Sequence, residues 1–177
     1  MNELYEKYKD EPSMLVAIAD SEGNIKLLED IFLYKRELSL SYITSSEKWN
    51  WLHQCNLYSP APLSVVEFYI KHGVDVNAQD CYGMTPLHYA MRAKNVDAAI
   101  ALLNAGADPN IPNQDNLIPL SMIGYLPDRL DVLELMLEKG ANVHFLVNKN
   151  ETILESYKPT EMEPNLAPIY ELMMKYA

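Results

Sequence analysis

The stretch YGMTPLHYA, residues 82–90, places the Thr85 hydroxyl three positions before the His88 imidazole. A hydroxyl beside an imidazole is the raw material of nucleophilic catalysis, so this pair is the first candidate for chemistry. The other histidines are His53, His72 and His144, and no two of the four are spaced i, i+4 as a helical metal pair requires. Cys55 and Cys81 are the only cysteines. Two thiols make neither a fourfold metal site nor a disulfide framework, and they read as reduced thiols in a cytosolic setting. Phosphate-loop and G-x-S-x-G motifs are absent, and no pair of carboxylates stands apart as an acid/base couple. Asp75, Asp108 and Asn142 recur at one relative position, as turn residues do. The expectation is a chain with no catalytic residue, no cofactor and no metal: not an enzyme.

The elements that carry these residues repeat. Leu52, Leu87, Leu120 and Leu154 are spaced by 35, 33 and 34, and Gly73, Gly106 and Gly140 by 33 and 34. The separation from glycine to the following leucine is 14 each time. Upstream of each glycine, positions −3, −4, −7 and −8 are apolar: Ile70, Tyr69, Val66 and Val65; Leu103, Leu102, Ala99 and Ala98; Leu137, Met136, Leu133 and Val132. That spacing predicts one buried stripe of an α-helix, closed by a glycine able to adopt the left-handed conformation. A period near 34 built from a short helix, a longer helix and a fixed excursion marks a repeat array.

Thr85-Pro86-Leu87-His88-Tyr89-Ala90 is the T-P-L-H-x-A motif, and with GADPN at 106–110 the chain resembles the ankyrin-repeat family. The resemblance is plainest over 45–148 and extends to 149–177 through Ile169, Tyr170, Met173 and Met174, and to 13–44 through Leu27, Leu28, Ile31 and Phe32. It implies an all-α solenoid of stacked helix-turn-helix units with β-hairpin or loop fingers. The expected plan is a leader at 1–12 and one domain at 13–177, with units near 13–44, 45–79, 80–112, 113–146 and 147–177. The first and last units act as caps, and Ala177 falls on a helix-stop position. Thr85 and Pro86 suit a helix start. His88, by the resemblance, bonds the turn of the neighbouring unit. Gly83 supplies a turn conformation that Asn116 and Asn150 take over in the next units.

Of the 177 residues, 49% are hydrophobic and 22% charged, with a formal net charge of −11. Every unit carries more acids than bases, so the surface repels nucleic acids and anionic membranes and attracts a basic protein. The N-terminus reads neither as a signal peptide nor as a span, which points to the cytoplasm. In the family, residues before the motif threonine and at the end of the first helix face a concave groove. Here these positions hold Ser46, Glu47, Trp49, Leu57 and Tyr58; Cys81, Tyr82, Met84 and Arg92; Gln114, Asp115, Leu117, Tyr125 and Leu126; and Asn148, Lys149 and Glu151. Exposed aromatic side chains in such a row favour binding. The expected partner-binding set is Glu47, Trp49, Tyr58, Tyr82, Met84, Arg92, Asp115, Leu117 and Tyr125. Two readings stand: a monomeric, dedicated inhibitor of a basic partner, such as an immunity protein or antitoxin facing a toxin; or a scaffold, adaptor or host-directed effector with several partners. The first draws on the chain starting at Met1 and ending at its last helix.

Overall fold

The computed structural model describes residues 3–57 and 60–177. Five helix pairs follow one another. They are α2 (Pro12–Glu22) with α3 (Ile25–Glu29), α4 (Trp51–Gln54) with α5 (Leu63–Lys71), α6 (Pro86–Arg92) with α7 (Val96–Asn104), a 3-10 segment (Pro119–Tyr125) with α8 (Leu130–Glu138), and α9 (Ile153–Ser156) with α10 (Ala167–Met174). A short α1 (Glu3–Lys7) precedes them. Within each pair the helices touch. Between pairs, α5 packs on α7, α7 on α8 and α8 on α10, while α4 packs on α6 and α6 on the 3-10 segment. These contacts run in two rows, α3, α5, α7, α8 and α10 in one and α4, α6 and the 3-10 segment in the other.

The glycine-anchored stripes are the core. Of their twelve residues all but Ile70 are buried. Gly73, Gly106 and Gly140 have φ of 81°, 93° and 86°, the left-handed helix stop that their spacing predicts. In α10 the buried set is Ile169, Leu172 and Met173, whereas Met174 is 50% exposed. The stripe there follows i, i+3, i+4 from Ile169, one residue off the expected register. At the other end, the segment expected as a leader is tied down: Tyr5 and Tyr8 pack against the core, and Asn24 Nδ2 donates to the Tyr5 hydroxyl at 2.9 Å.

Besides a 3-10 turn at Pro164–Leu166 just before α10, two of the paired helices depart from α geometry. The second helix of the first pair runs into a π-type turn at Asp30–Tyr34, closed by the Lys35 amide on the Asp30 carbonyl at 2.8 Å. In the fourth pair, Gly124 and Pro127 shorten the first helix to a 3-10 segment, since proline disfavours helical backbone at Leu126. The Tyr157 hydroxyl accepts the Gly124 amide there at 2.9 Å.

The fingers are mostly turns. Among the described residues only the last contains strands, β1 (Leu146–Asn148) antiparallel to β2 (Glu151–Thr152), with Leu146 opposite Thr152. Gly83 (φ 75°) and Asn116 (φ 58°) share the left-handed position expected of them, but Asn150 does not. Lys48, four residues before Leu52 as Gly83 is before Leu87, also takes positive φ, at 63°. No helix among the described residues is long and apolar enough to cross a membrane.

Candidate protein-binding groove

Consecutive fingers are tied backbone to backbone. The Cys81 amide donates to the Glu47 carbonyl at 2.8 Å, and the Gln114 amide donates to the Tyr82 carbonyl at 2.9 Å. Asn116 Nδ2 reaches the Leu146 carbonyl at 2.7 Å. Within a finger, Asp80 Oδ1 accepts the amides of Tyr82 and Met84, both at 2.8 Å. Asn113 Oδ1 does the same for Asp115 and Leu117, at 3.0 and 2.9 Å. Asp80 and Asn113 each stand seven residues before a motif leucine, so this signal was in the sequence and was missed.

The turns after the helix stops form a second ladder. Asp75, Asp108 and Asn142 each accept an amide two residues on, at 2.8, 2.8 and 2.9 Å. Between repeats, Asn77 donates to the Gly106 carbonyl (3.1 Å) and accepts the Asp108 amide (2.8 Å). Asn110 repeats this with Gly140 (2.9 Å) and Asn142 (2.8 Å).

His88 is buried and sits between repeats. Its Nδ1 accepts the Thr85 amide at 3.0 Å and faces the Thr85 hydroxyl at 2.9 Å, which leaves the proton on Nε2. Nε2 then donates to the Leu117 carbonyl at 3.0 Å. His53 reproduces this: Nδ1 accepts the Asn50 amide and Nε2 donates to the Met84 carbonyl, both at 3.1 Å. Burial lowers the pKa of both imidazoles, against the raising effect of those carbonyls. A neutral, fully bonded histidine with buried Thr85 beside it has no room for a substrate. Among the described residues no cluster of three or more His, Cys, Asp or Glu side chains could hold a metal ion.

The residues expected to bind a partner divide by exposure. Tyr82 and Tyr125 are 56% and 48% exposed, and Arg92 and Asp115 are also exposed. Glu47, Trp49 and Leu117 are half-buried. Met84 is not on the surface as expected: it is 7% exposed, with its sulfur beside Arg92 (Nη1 at 3.9 Å). Leu126 is likewise buried, its amide closing the 3-10 segment onto Ile123. Tyr58 lies outside the described residues.

Trp49, buried Tyr89 and exposed Arg92 form a connected chain of contacts across two repeats. The Trp49 ring meets Tyr89 edge-on, with centroids 6.4 Å apart, and the Arg92 guanidinium lies 4.7 Å from the Tyr89 centroid. The Tyr89 hydroxyl donates to Asp80 Oδ2 at 2.6 Å. Tyr89 occupies the free position of the motif, which hides its role in the sequence.

Beside Trp49, between α2 and α4, opens a cavity of about 330 Å³ lined by Val16, Asp20, Glu47, Trp49, Trp51 and Gln54, among others. Asp20 is buried and accepts the Tyr69 hydroxyl on Oδ1 at 2.8 Å. Burial raises its pKa to about 7, against the lowering effect of that hydrogen bond. Nothing in the sequence pattern singled out Asp20 or Gln54.

A family model for ankyrin repeats in three copies matches residues 13–113 and 52–146. An ankyrin repeat protein of Fowlpox virus is 35% identical over 107 residues, 59% of this chain and 15% of the viral protein. An ankyrin repeat protein of Acanthamoeba polyphaga mimivirus is 28% identical over 150 residues, 79% of this chain and 19% of the other. Protein phosphatase 1 regulatory subunit 27 of Mus musculus is 35% identical over 112 residues, 63% of this chain and 68% of that protein. The chain thus spans less than a fifth of the two viral relatives and about two thirds of the mouse one. The stacked helix pairs, the inter-repeat histidines and these matches together place the chain in the ankyrin-repeat family, as a protein–protein interaction module of a generally non-catalytic type.

Proposed function

We propose that the chain is a non-enzymatic, monomeric, cytoplasmic protein that captures one basic partner in its groove and blocks it, as an inhibitor of the immunity-protein or antitoxin kind does. The binding set is Glu47, Trp49, Tyr58, Tyr82, Arg92, Asp115, Leu117 and Tyr125, with Met84 acting from beneath. The observation that carries this reading is the exposure of Tyr82 and Tyr125 on successive repeats of a chain with net charge −11. Large aromatic rings held on a rigid scaffold bury area at small entropic cost, and the surrounding acidity steers a cationic protein to them. The mouse relative is named as a regulatory subunit of a phosphatase, which supports control of another protein by direct binding.

An adaptor with several partners needs further apolar surface, and Tyr34 (76% exposed), Tyr42 and Ile43 provide it on the connection from the first helix pair to the next finger. Co-purification from source cells separates the readings. One partner of high isoelectric point held at 1:1 supports inhibition; several looser partners overturn it. The double variant Tyr82→Ala/Tyr125→Ala should weaken binding of the recovered partner at least tenfold with an unchanged Tm. Unchanged affinity would remove the groove from the account.

A further inference from the structure

We propose that the cavity between α2 and α4 is an arginine subsite of the groove, receiving one arginine side chain of the basic partner with its guanidinium between the Asp20 and Glu47 carboxylates. This rests on the reading of the concave face as the binding surface.

Three independent features favour arginine. The first is charge: Asp20 and Glu47 both line the cavity, and no Lys, Arg or His does so among the described residues. Asp20 is 7% exposed and commits only Oδ1 to Tyr69, leaving Oδ2 without a hydrogen bond among the described residues. A carboxylate in so little water is costly to ionise, and a cation placed against it recovers that cost.

The second is an unused amide. Gln54 Nε2 is buried and has no hydrogen-bond partner among the described residues. A buried donor left unpaired costs about 1–3 kcal/mol. The oxygen of the same amide, on a side chain that lines the cavity, can accept a guanidinium N–H. Arginine, with five donors in a rigid fork, can serve two carboxylates and an amide oxygen at once, which the compact lysine ammonium cannot.

The third is the wall. Trp49 and Trp51 both line the cavity with Val16, giving aromatic and aliphatic surface for the stem and plane of an arginine. Both rings are held in place: Trp51 Nε1 donates to the Ser39 carbonyl at 2.9 Å, and its ring stacks on Tyr69 at 11° between planes. The site is therefore preformed.

The remaining titratable groups near Asp20 do not compete. Cys55, also lining the cavity, and Tyr69 on α5 both have pKa values raised well above their ordinary range by burial, so they stay neutral near pH 7. Glu47 comes from the finger. Seating a guanidinium against Asp20 favours its ionised form, so binding releases a proton and tightens as pH rises from 6 to 8.

Trp49 and Trp51 are the only tryptophans in the chain, so intrinsic fluorescence reports on this cavity directly. The probe is acetyl-Gly-Arg-Gly-amide titrated into the intact protein, with matched lysine and citrulline peptides as comparators. A saturable fluorescence change is expected with arginine. It should be at least fivefold weaker for lysine and absent for citrulline. Asp20→Asn and Glu47→Gln should each weaken it at least fivefold, and Asp20→Asn should remove its pH dependence. Equal responses to arginine and citrulline, no saturable response, a tighter lysine peptide, or unaltered binding in both variants would overturn the proposal. Because no partner is needed, this experiment can fail while the Tyr82→Ala/Tyr125→Ala variant still shows that the groove binds, and the reverse also holds.

Discussion

The Trp49 indole Nε1 donates to the Tyr89 hydroxyl at 2.9 Å, joining residues 40 apart in sequence. The same nitrogen lies 3.2 Å from Asp80 Oδ2, which the Tyr89 hydroxyl itself reaches. One finger residue, one helix residue and one carboxylate thus lock the second repeat to the third on the groove side. The carboxylate raises the Tyr89 pKa, as burial does more strongly, so the hydroxyl stays protonated and donates throughout the working range.

Tyr89→Phe deletes the shared hydroxyl and leaves Asp80 Oδ2 with the longer Trp49 contact alone. The expected cost is about 1–2 kcal/mol, as for a lost charge-assisted hydrogen bond. Urea unfolding measures it, and the Trp49 emission should move to longer wavelength. An unchanged midpoint would show that the three groups are not energetically coupled.

His88→Ala removes both the Thr85 tether and the bond to the Leu117 carbonyl and leaves a void at a site that is 0% exposed. About 2–4 kcal/mol of stability should be lost. His88→Gln, which can keep a donor near Leu117, should lose less. Equal losses would show that packing and not the inter-repeat bond matters there.

How much of this was legible beforehand follows from what repetition can show. The glycine stops and the buried stripes recur at a fixed period, so they stood out without coordinates, and His88 came from the family motif. Met84 and Leu126 were misjudged because exposure in the groove depends on neighbouring side chains: Arg92 lies against the first, and the 3-10 turn tucks in the second. Asp20, Gln54 and Tyr89 were missed because each occurs once. Asp20 meets Tyr69 across 49 residues through a contact that no periodic pattern encodes.

Lys48 and Gly106 test the backbone in opposite directions. Lys48 is exposed at φ 63°, where a side chain is strained and glycine is not. Lys48→Gly should raise stability by about 0.5 kcal/mol, the relief of strain being partly offset by a more flexible unfolded chain. Gly106, at φ 93°, has open space where a Cβ would go, so Gly106→Val is penalised by the backbone alone. It should lose more than about 1 kcal/mol. A stabilised valine variant, measured by thermal or urea unfolding, would remove the helix-stop role assigned to Gly106.

Asp20 and the two motif histidines impose opposite pH dependences. Folding raises the Asp20 pKa from 3.8 to about 7, so between these values the native state holds a proton that the unfolded chain gives up. Stability from this group is complete below pH 4 and declines as pH rises toward and through 7. His53 and His88 are lowered below 6.5, so the unfolded chain takes up protons first, and their contribution is present above pH 6.5 and lost as pH falls below it. Wild-type protein should therefore have its highest Tm in mildly acidic solution. Asp20→Asn keeps a hydrogen-bond acceptor for Tyr69 but cannot ionise, so its Tm should exceed that of wild type by a margin that widens from pH 6 to 8. His88→Gln should flatten the loss below pH 6 without touching the alkaline side. Parallel Tm curves for wild type and Asp20→Asn across pH 5 to 8 would mean that Asp20 ionises in the fold as freely as in water.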